Sequence, residues 1–202
     1  EGRNQSEVWD SFRVARRAQP GPVTYLESES YTVVDARHAG YRRLGIDAVH
    51  RRILCWEKGR FWFFVDEIYG EGKALARNFV HLHPSFDFKS EDSQKCFIHG
   101  PSNLGLAIKT FNVDQWDILK GQSEPPVQGR YSEEFGKKTP NSVLCMEREA
   151  LLPFCFGSII YREADLEMEI LKTANRCYEF RLIMPGRTSV MNIQPGKVRY
   201  HS

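Results

Sequence analysis

Between Ile53 and Val65 the chain places two apolar runs around a four-residue turn, and this unit constrains the fold more than any other feature of the sequence. Ile53-Leu54-Cys55-Trp56 is followed by Glu57-Lys58-Gly59-Arg60 and then by Phe61-Trp62-Phe63-Phe64-Val65. Gly59 can take the positive φ that a tight hairpin turn needs, so Lys58-Gly59 is the expected turn. Successive side chains leave opposite faces of a strand, which sends Phe61, Phe63 and Val65 one way and Trp62 and Phe64 the other. Both faces are apolar. Such a strand is expected at the centre of a sheet, covered on both sides, with Trp56 and Trp62 in the core. A single open sheet cannot supply that cover, whereas packed sheets can.

The rest of the chain repeats the pattern. Strands are expected over residues 8–15, 23–29, 31–36, 74–82, 94–99, 106–110, 142–147, 156–161, 166–172, 177–184 and 189–193. Breakers separate them: Pro20-Gly21-Pro22, Gly70-Glu71-Gly72, Gly100-Pro101, Pro125-Pro126, Pro185-Gly186 and Pro195-Gly196. Many short strands at this spacing predict an all-β chain, a two-layer antiparallel β-sandwich of the supersandwich type with little helix. Residues 113–120 are the one stretch that suggests a short helix. No internal repeat or firm boundary divides the chain, so residues 1–202 are read as a single domain. Residues 121–140 form a long, polar, Pro- and Gly-rich segment, either an ordinary surface loop or a loop beside a binding cleft.

Charge narrows the partners. The 28 basic and 26 acidic residues leave a formal net charge of only +2, without the basic excess expected of a protein that binds nucleic acid. An acidic polysaccharide is compatible with that balance, because a groove needs only a local cluster of Arg and Lys. No apolar run approaches the roughly 20 residues of a membrane span, so no membrane partner is expected. The five cysteines, Cys55, Cys96, Cys145, Cys155 and Cys177, include no CxxC pair and lie partly in apolar runs, where a free thiol behaves as a small hydrophobe. The chain begins at Glu1 and reads as a piece excised from a longer protein.

Four stretches carry a resemblance. The first is Gly2-Arg3-Asn4-Gln5-Ser6-Glu7-Val8-Trp9, running into Ser11-Phe12-Arg13-Val14-Ala15-Arg16-Arg17-Ala18. The second is His38-Ala39-Gly40-Tyr41 with Val49-His50-Arg51-Arg52. The third runs from Phe63-Phe64-Val65-Asp66-Glu67-Ile68-Tyr69-Gly70 to Val80-His81-Leu82-His83-Pro84, and the fourth is Gln128-Gly129-Arg130-Tyr131-Ser132-Glu133-Glu134-Phe135-Gly136 with Leu151-Leu152-Pro153-Phe154. In this order and spacing they resemble the carboxy-terminal β-sandwich portion of the heparinase II/III-like polysaccharide lyases. Ala39 stands where the family commonly has Asp, Arg130 where it often has Trp, and Glu133 where it often has Pro.

The resemblance implies a two-part bacterial enzyme, periplasmic or secreted, in which an amino-terminal α/α toroid partners the sandwich. Its substrate is a uronic-acid polysaccharide, heparan-type or alginate-like, cleaved by β-elimination. That chemistry needs a group such as Asn, Gln or His to neutralise the uronate carboxylate, a Tyr or His to take the α-proton, and a Tyr to protonate the leaving oxygen. In the family these residues come from the toroid and from an HxH-type motif preceding the segment matched here. No catalytic residue is therefore expected in this chain, and by itself it is expected to be inactive. Some members carry zinc in the sandwich; no metal ligand and no cofactor is assigned here.

The candidate substrate-binding residues are His38, Tyr41, His50, Arg51 and Tyr131. His38, Tyr41, His50 and Arg51 gather at a loop and strand start that could line a cleft facing the toroid, and Arg51 or Arg52 could grip a carboxylate or sulfate in bidentate fashion. The ordinary reading of these charges is a solvated sheet edge. His81 and His83 share a strand face but lack a third metal ligand, and read as histidines hydrogen-bonded at a strand end. Arg13, Arg16 and Arg17 do not share one face. Asn4-Gln5-Ser6 fits a glycosylation sequon by itself only weakly. An alternative function is a self-sufficient carbohydrate-binding or structural module, which would need an exposed aromatic platform, with Trp116 and Tyr131 the first choice. A complete small lyase would need Tyr41 with His38 or His50 and a carboxylate neutraliser beside them.

Overall fold

The computed structural model describes residues 4–10, 13–101, 105–124, 127–162 and 166–202. Gly2-Arg3, Ser11-Phe12 and Pro125-Pro126, which enter the motifs and breakers above, lie outside the described residues. The strands run β1 (Val8–Asp10), β2 (Arg13–Val14), β3 (Thr24–Glu27), β4 (Tyr31–His38), β5 (Ala48–Glu57), β6 (Phe61–Gly70), β7 (Lys73–His81), β8 (Asp87–Ser90), β9 (Lys95–His99) and β10 (Leu106–Phe111). They continue as β11 (Gln115–Lys120), β12 (Arg130–Tyr131), β13 (Thr139–Pro140), β14 (Ser142–Leu151), β15 (Phe154–Arg162), β16 (Glu167–Ala174), β17 (Cys177–Met184), β18 (Arg187–Gln194) and β19 (Lys197–His201). One 3₁₀ turn, Gly40–Leu44, follows β4 and ends at Gly45 in the left-handed conformation.

The β5–β6 hairpin forms in the register its sequence predicts, with Glu57 opposite Phe61 and Gly59 at φ 77. It lies inside an eight-stranded antiparallel sheet ordered β3-β4-β5-β6-β15-β10-β9-β8. One face of that sheet packs on the four-stranded meander β16-β17-β18-β19, where Phe63 meets Phe111 and Phe180 in a fully buried aromatic cluster. The opposite face packs on the three-stranded sheet β11-β14-β7 through Ile108, Leu144 and Met146, and through Ile68 and Phe156. The all-β antiparallel sandwich therefore stands, and the large sheet takes part in it on both faces. Strand β15 approaches β6 so closely at Gly157 that a Cβ there would sit 2.1 Å from the Phe64 carbonyl oxygen, which only glycine avoids.

Two clusters of buried charge tie the large sheet to the four-stranded meander. Arg51 donates to both Asp35 oxygens at 2.8 and 2.7 Å, to Glu67 at 3.3 Å and to the Gln194 carbonyl at 2.8 Å. Glu67 also receives Arg176 at 2.8 and 3.1 Å, and that guanidinium lies 3.4 Å from the Tyr69 ring centroid. At the far end of β5, buried Glu57 accepts from Ser189 and Tyr200 and pairs with Arg187. Four of the five free cysteines, Cys55, Cys96, Cys145 and Cys155, are buried. Burial drives the Cys96 and Cys155 thiols up to about 12, far from ionisation at neutral pH.

Three expectations are corrected. Residues 115–120 are the edge strand β11 rather than helix, because pairing with β14 from Gln115↔Glu147 to Lys120↔Ser142 supplies backbone partners that outweigh a weak local pattern. Val8–Asp10 and Arg13–Val14 pair as two short, exposed antiparallel strands, β1 and β2, where one strand over residues 8–15 is expected. Trp56 and Trp62 are not core: they are 37% and 39% exposed. Both stand near the turn end of the β5–β6 hairpin, on the face opposite the fully buried Phe61 and Phe63.

Candidate functional site

Where β7 ends the small sheet, a cavity of about 630 Å³ opens between β7 and the large sheet. Its floor includes Ala48, His50 and Arg52 of β5, Asp66 and Ile68 of β6, and Phe156 of β15; its wall includes Ala74, Ala76 and Arg77 of β7. Tyr41 from the 3₁₀ turn, Asn4, Gln5 and Gln128 complete the rim. Gln128 belongs to the long polar segment. That segment folds back on itself, with Gly121 N–H donating to Gly129 O at 3.0 Å and Gln122 N–H to Gln128 O at 2.9 Å, and it lies beside the cleft.

The polar floor is built by strand register. His38 sits opposite His50 across β4–β5, and Arg52 sits opposite Asp66 across β5–β6. The Gly40 N–H points at His38 Nδ1, 3.3 Å away, and can only donate. A neutral His38 therefore carries its proton on Nε2 and donates it to His50 Nδ1 at 3.3 Å. His50 then carries its own proton on Nε2 and donates to Asp66 Oδ1 at 2.6 Å. Arg52 donates to both Asp66 oxygens at 2.7 and 3.0 Å, and Asn78 reaches across from β7 to Asp66 Oδ2 at 2.5 Å.

Electrostatics follows from this arrangement. Burial opposes a charged Asp66, yet the bonds from His50 and Arg52 outweigh it and hold the carboxyl below its ordinary value. Burial first, then the charges of His50 and Arg52, push His38 down and favour the neutral ring that the tautomer chain requires. Burial and the Asp66 charge push the Tyr41 phenol up, so it stays protonated at neutral pH. Arg52 engages Asp66 through Nε and Nη2, and its side chain remains 46% exposed, which leaves Nη1 for an anion in the cavity.

Three of the five candidate residues, His38, Tyr41 and His50, thus come together. Arg51 does not join them. Its odd position sends it to the opposite face with Ile53 and Cys55, where it is 2% exposed and held by Asp35 and Glu67, so it is unavailable to a ligand. Tyr131 lies outside the cavity lining, its ring 5.1 Å from His83. His83 also exchanges a hydrogen bond with Ser85 at 2.7 Å, and His81 is exposed beside Phe79. Trp116 is half-buried against Leu144 and Met146 and bonded to the Ser93 carbonyl, which removes it as a platform. The sequence reading missed Asp66, Asn78 and Gln128. Asp66 was within reach, because a hairpin pairing 57 with 61 necessarily pairs 52 with 66.

The fold and site are an antiparallel β-sandwich that holds a buried carboxylate, Asp66, clamped by His50, Arg52 and Asn78 beneath an open cleft. Residues 1–176 match the family described as "Heparinase II/III-like, C-terminal", and the chain belongs to that family. Among solved structures it is similar to the heparan sulfate lyase HepC from Pedobacter heparinus, with a TM-score of 0.68 and 14% identity over 92% of this chain and 29% of that one. It is also similar to a heparinase III, with a TM-score of 0.65 and 12% identity over 90% of this chain and 28% of that one. The chain spans less than a third of the length of these structures. Among curated proteins none matches.

Proposed function

We propose that this chain is the carboxy-terminal sandwich of a periplasmic or secreted lyase that cleaves uronic-acid polysaccharides, heparan-type or alginate-like, by β-elimination. It forms one wall of the cleft, and an amino-terminal α/α toroid forms the other. The observation that carries this reading is the cavity floor, where Arg52, steadied by Asp66 and Asn78, presents a guanidinium edge to an open space of sugar size. His50 and Tyr41 line the same space, and His38 fixes the tautomer of His50 from behind. Their role is binding. Every ring nitrogen of His38 and His50 is already engaged within the protein, and Tyr41 is held protonated, so neither a free base nor a ready phenolate faces the cavity.

The test is the ultraviolet absorbance of the unsaturated uronate product, followed with heparan sulfate, heparin and alginate. Elimination is expected from a longer protein that includes a toroid and not from the 202 residues alone, because the reacting groups are divided between two walls. Within the longer protein, Arg52→Ala is expected to raise KM for the acidic polymer roughly tenfold, the cost of one charge-assisted contact. Elimination by the 202-residue chain alone, abolished by Tyr41→Phe or His50→Ala, would overturn this division of labour.

A further inference from the structure

We propose that Trp56 and Trp62 form a sugar-stacking platform that extends the cavity along β5, so that an acidic oligosaccharide lies across the open part of the eight-stranded sheet. This rests on the reading that the ligand is an acidic polysaccharide, and it adds where the chain of sugars runs. The two indoles stand opposite one another in register, their planes within 3° and their centroids 6.5 Å apart. They are 37% and 39% exposed on a hairpin whose opposite face buries Phe61 and Phe63 completely. Tyr25, 57% exposed, enters the same face from β3, through the register Tyr25↔Val34↔Leu54↔Phe64.

Parity joins this face to the cavity. Along β5, His50, Arg52, Leu54 and Trp56 all leave the same side of the strand, so a straight path runs from the cationic floor to the indoles. Six residues of strand cover roughly 20 Å, the reach of a short oligosaccharide rather than one sugar. A pyranose matches both ends of that path. Its C–H face stacks on an indole, and its carboxylate suits the exposed Nη1 edge of Arg52, which Asp66 leaves open. An apolar polypeptide segment would cover the indoles but offer no acceptor to the exposed edge of Arg52 at the other end.

The probes are size-defined alginate and heparan oligosaccharides and a neutral cello-oligosaccharide, titrated into the 202-residue chain while indole emission is recorded. Acidic oligosaccharides longer than a disaccharide are expected to shift the emission. Trp56→Ala with Trp62→Ala is expected to weaken their binding roughly tenfold, with Trp→Phe at both positions recovering part of the loss. Arg52→Ala is expected to weaken the acidic ligands alone. The platform is overturned if emission from the wild-type chain is unmoved, or if the double variant binds as tightly as wild type. It is overturned equally if the chain is a dimer that the double variant makes monomeric, since the face is then a self-contact. Elimination by the longer protein with KM unchanged in the double variant would remove the platform and leave the lyase reading standing. Tryptophan-dependent oligosaccharide binding without elimination would do the reverse.

Discussion

Replacing Glu67 by Gln is expected to remove about 3–5 kcal/mol of stability, the usual cost of breaking a buried ion pair from one side. Glu67 is fully buried and holds two guanidinium groups, Arg51 at 3.3 Å and Arg176 at 2.8 and 3.1 Å. Arg176 lies in the turn between β16 and β17 of the meander that covers the large sheet, so the carboxylate fastens two layers together as well as balancing charge. A neutral amide of the same shape would leave Arg51, 2% exposed, with Asp35 as its one charged partner beside the Gln194 carbonyl, and it would turn an N–H₂ donor toward two donors. A urea titration should show the midpoint falling steeply while the slope stays near wild type, since the surface exposed on unfolding is unchanged. An unfolding free energy within a few tenths of a kcal/mol of wild type would mean that solvent or a rearranged Asp35 satisfies Arg51.

The second large effect is expected at Asp66→Asn, about 2–4 kcal/mol at neutral pH, because four donor bonds converge on that carboxylate. An amide nitrogen there would face His50 Nε2, Arg52 or Asn78, each already a donor. The pH dependence has a definite sign. Asp66 is held below its ordinary value of 3.8, so its contribution is complete above that value and is lost as pH falls through the lower folded one. The stability gap between wild type and variant should therefore be full at pH 6–7 and narrow below pH 3.8. A gap that stays constant into acid would show that shape, rather than charge, is what Asp66 supplies.

Much of this architecture was legible because hairpins are local. The run from His50 to Ile68 predicts its turn, its register and the face that Phe61, Phe63 and Val65 share, and each follows from a few neighbouring residues. The order of the sheets was not legible. Strand β6 takes β15 as its neighbour from nearly a hundred residues away, and no local pattern encodes that pairing. Parity explains why Arg51 was confused with Arg52: β5 is apolar enough on both faces that either arginine could belong to the cleft. The tryptophans misled for a related reason. A hydrophobic strand predicts burial only if a second layer extends over it, and the layer on this side, β11-β14-β7, is assembled from residues distant in sequence. The helix-like spacing of residues 113–120 gave no hint of the partner, β14, that makes Gln115–Lys120 a strand.

The buried cysteines turn the two interlayer seams into separate clocks. Cys55 and Cys155 lie in the seam under the four-stranded meander, and Cys96 lies in the seam under the three-stranded sheet. A thiol that is both shielded and far from ionisation reacts only during moments of opening, so its modification by an added alkylating reagent counts those moments. If Cys96 is alkylated well before Cys55 and Cys155, the layer beside the cleft breathes while the meander stays shut. Equal rates would mean that the chain opens as one cooperative body, and that its cleft is carried on a scaffold with no looser half.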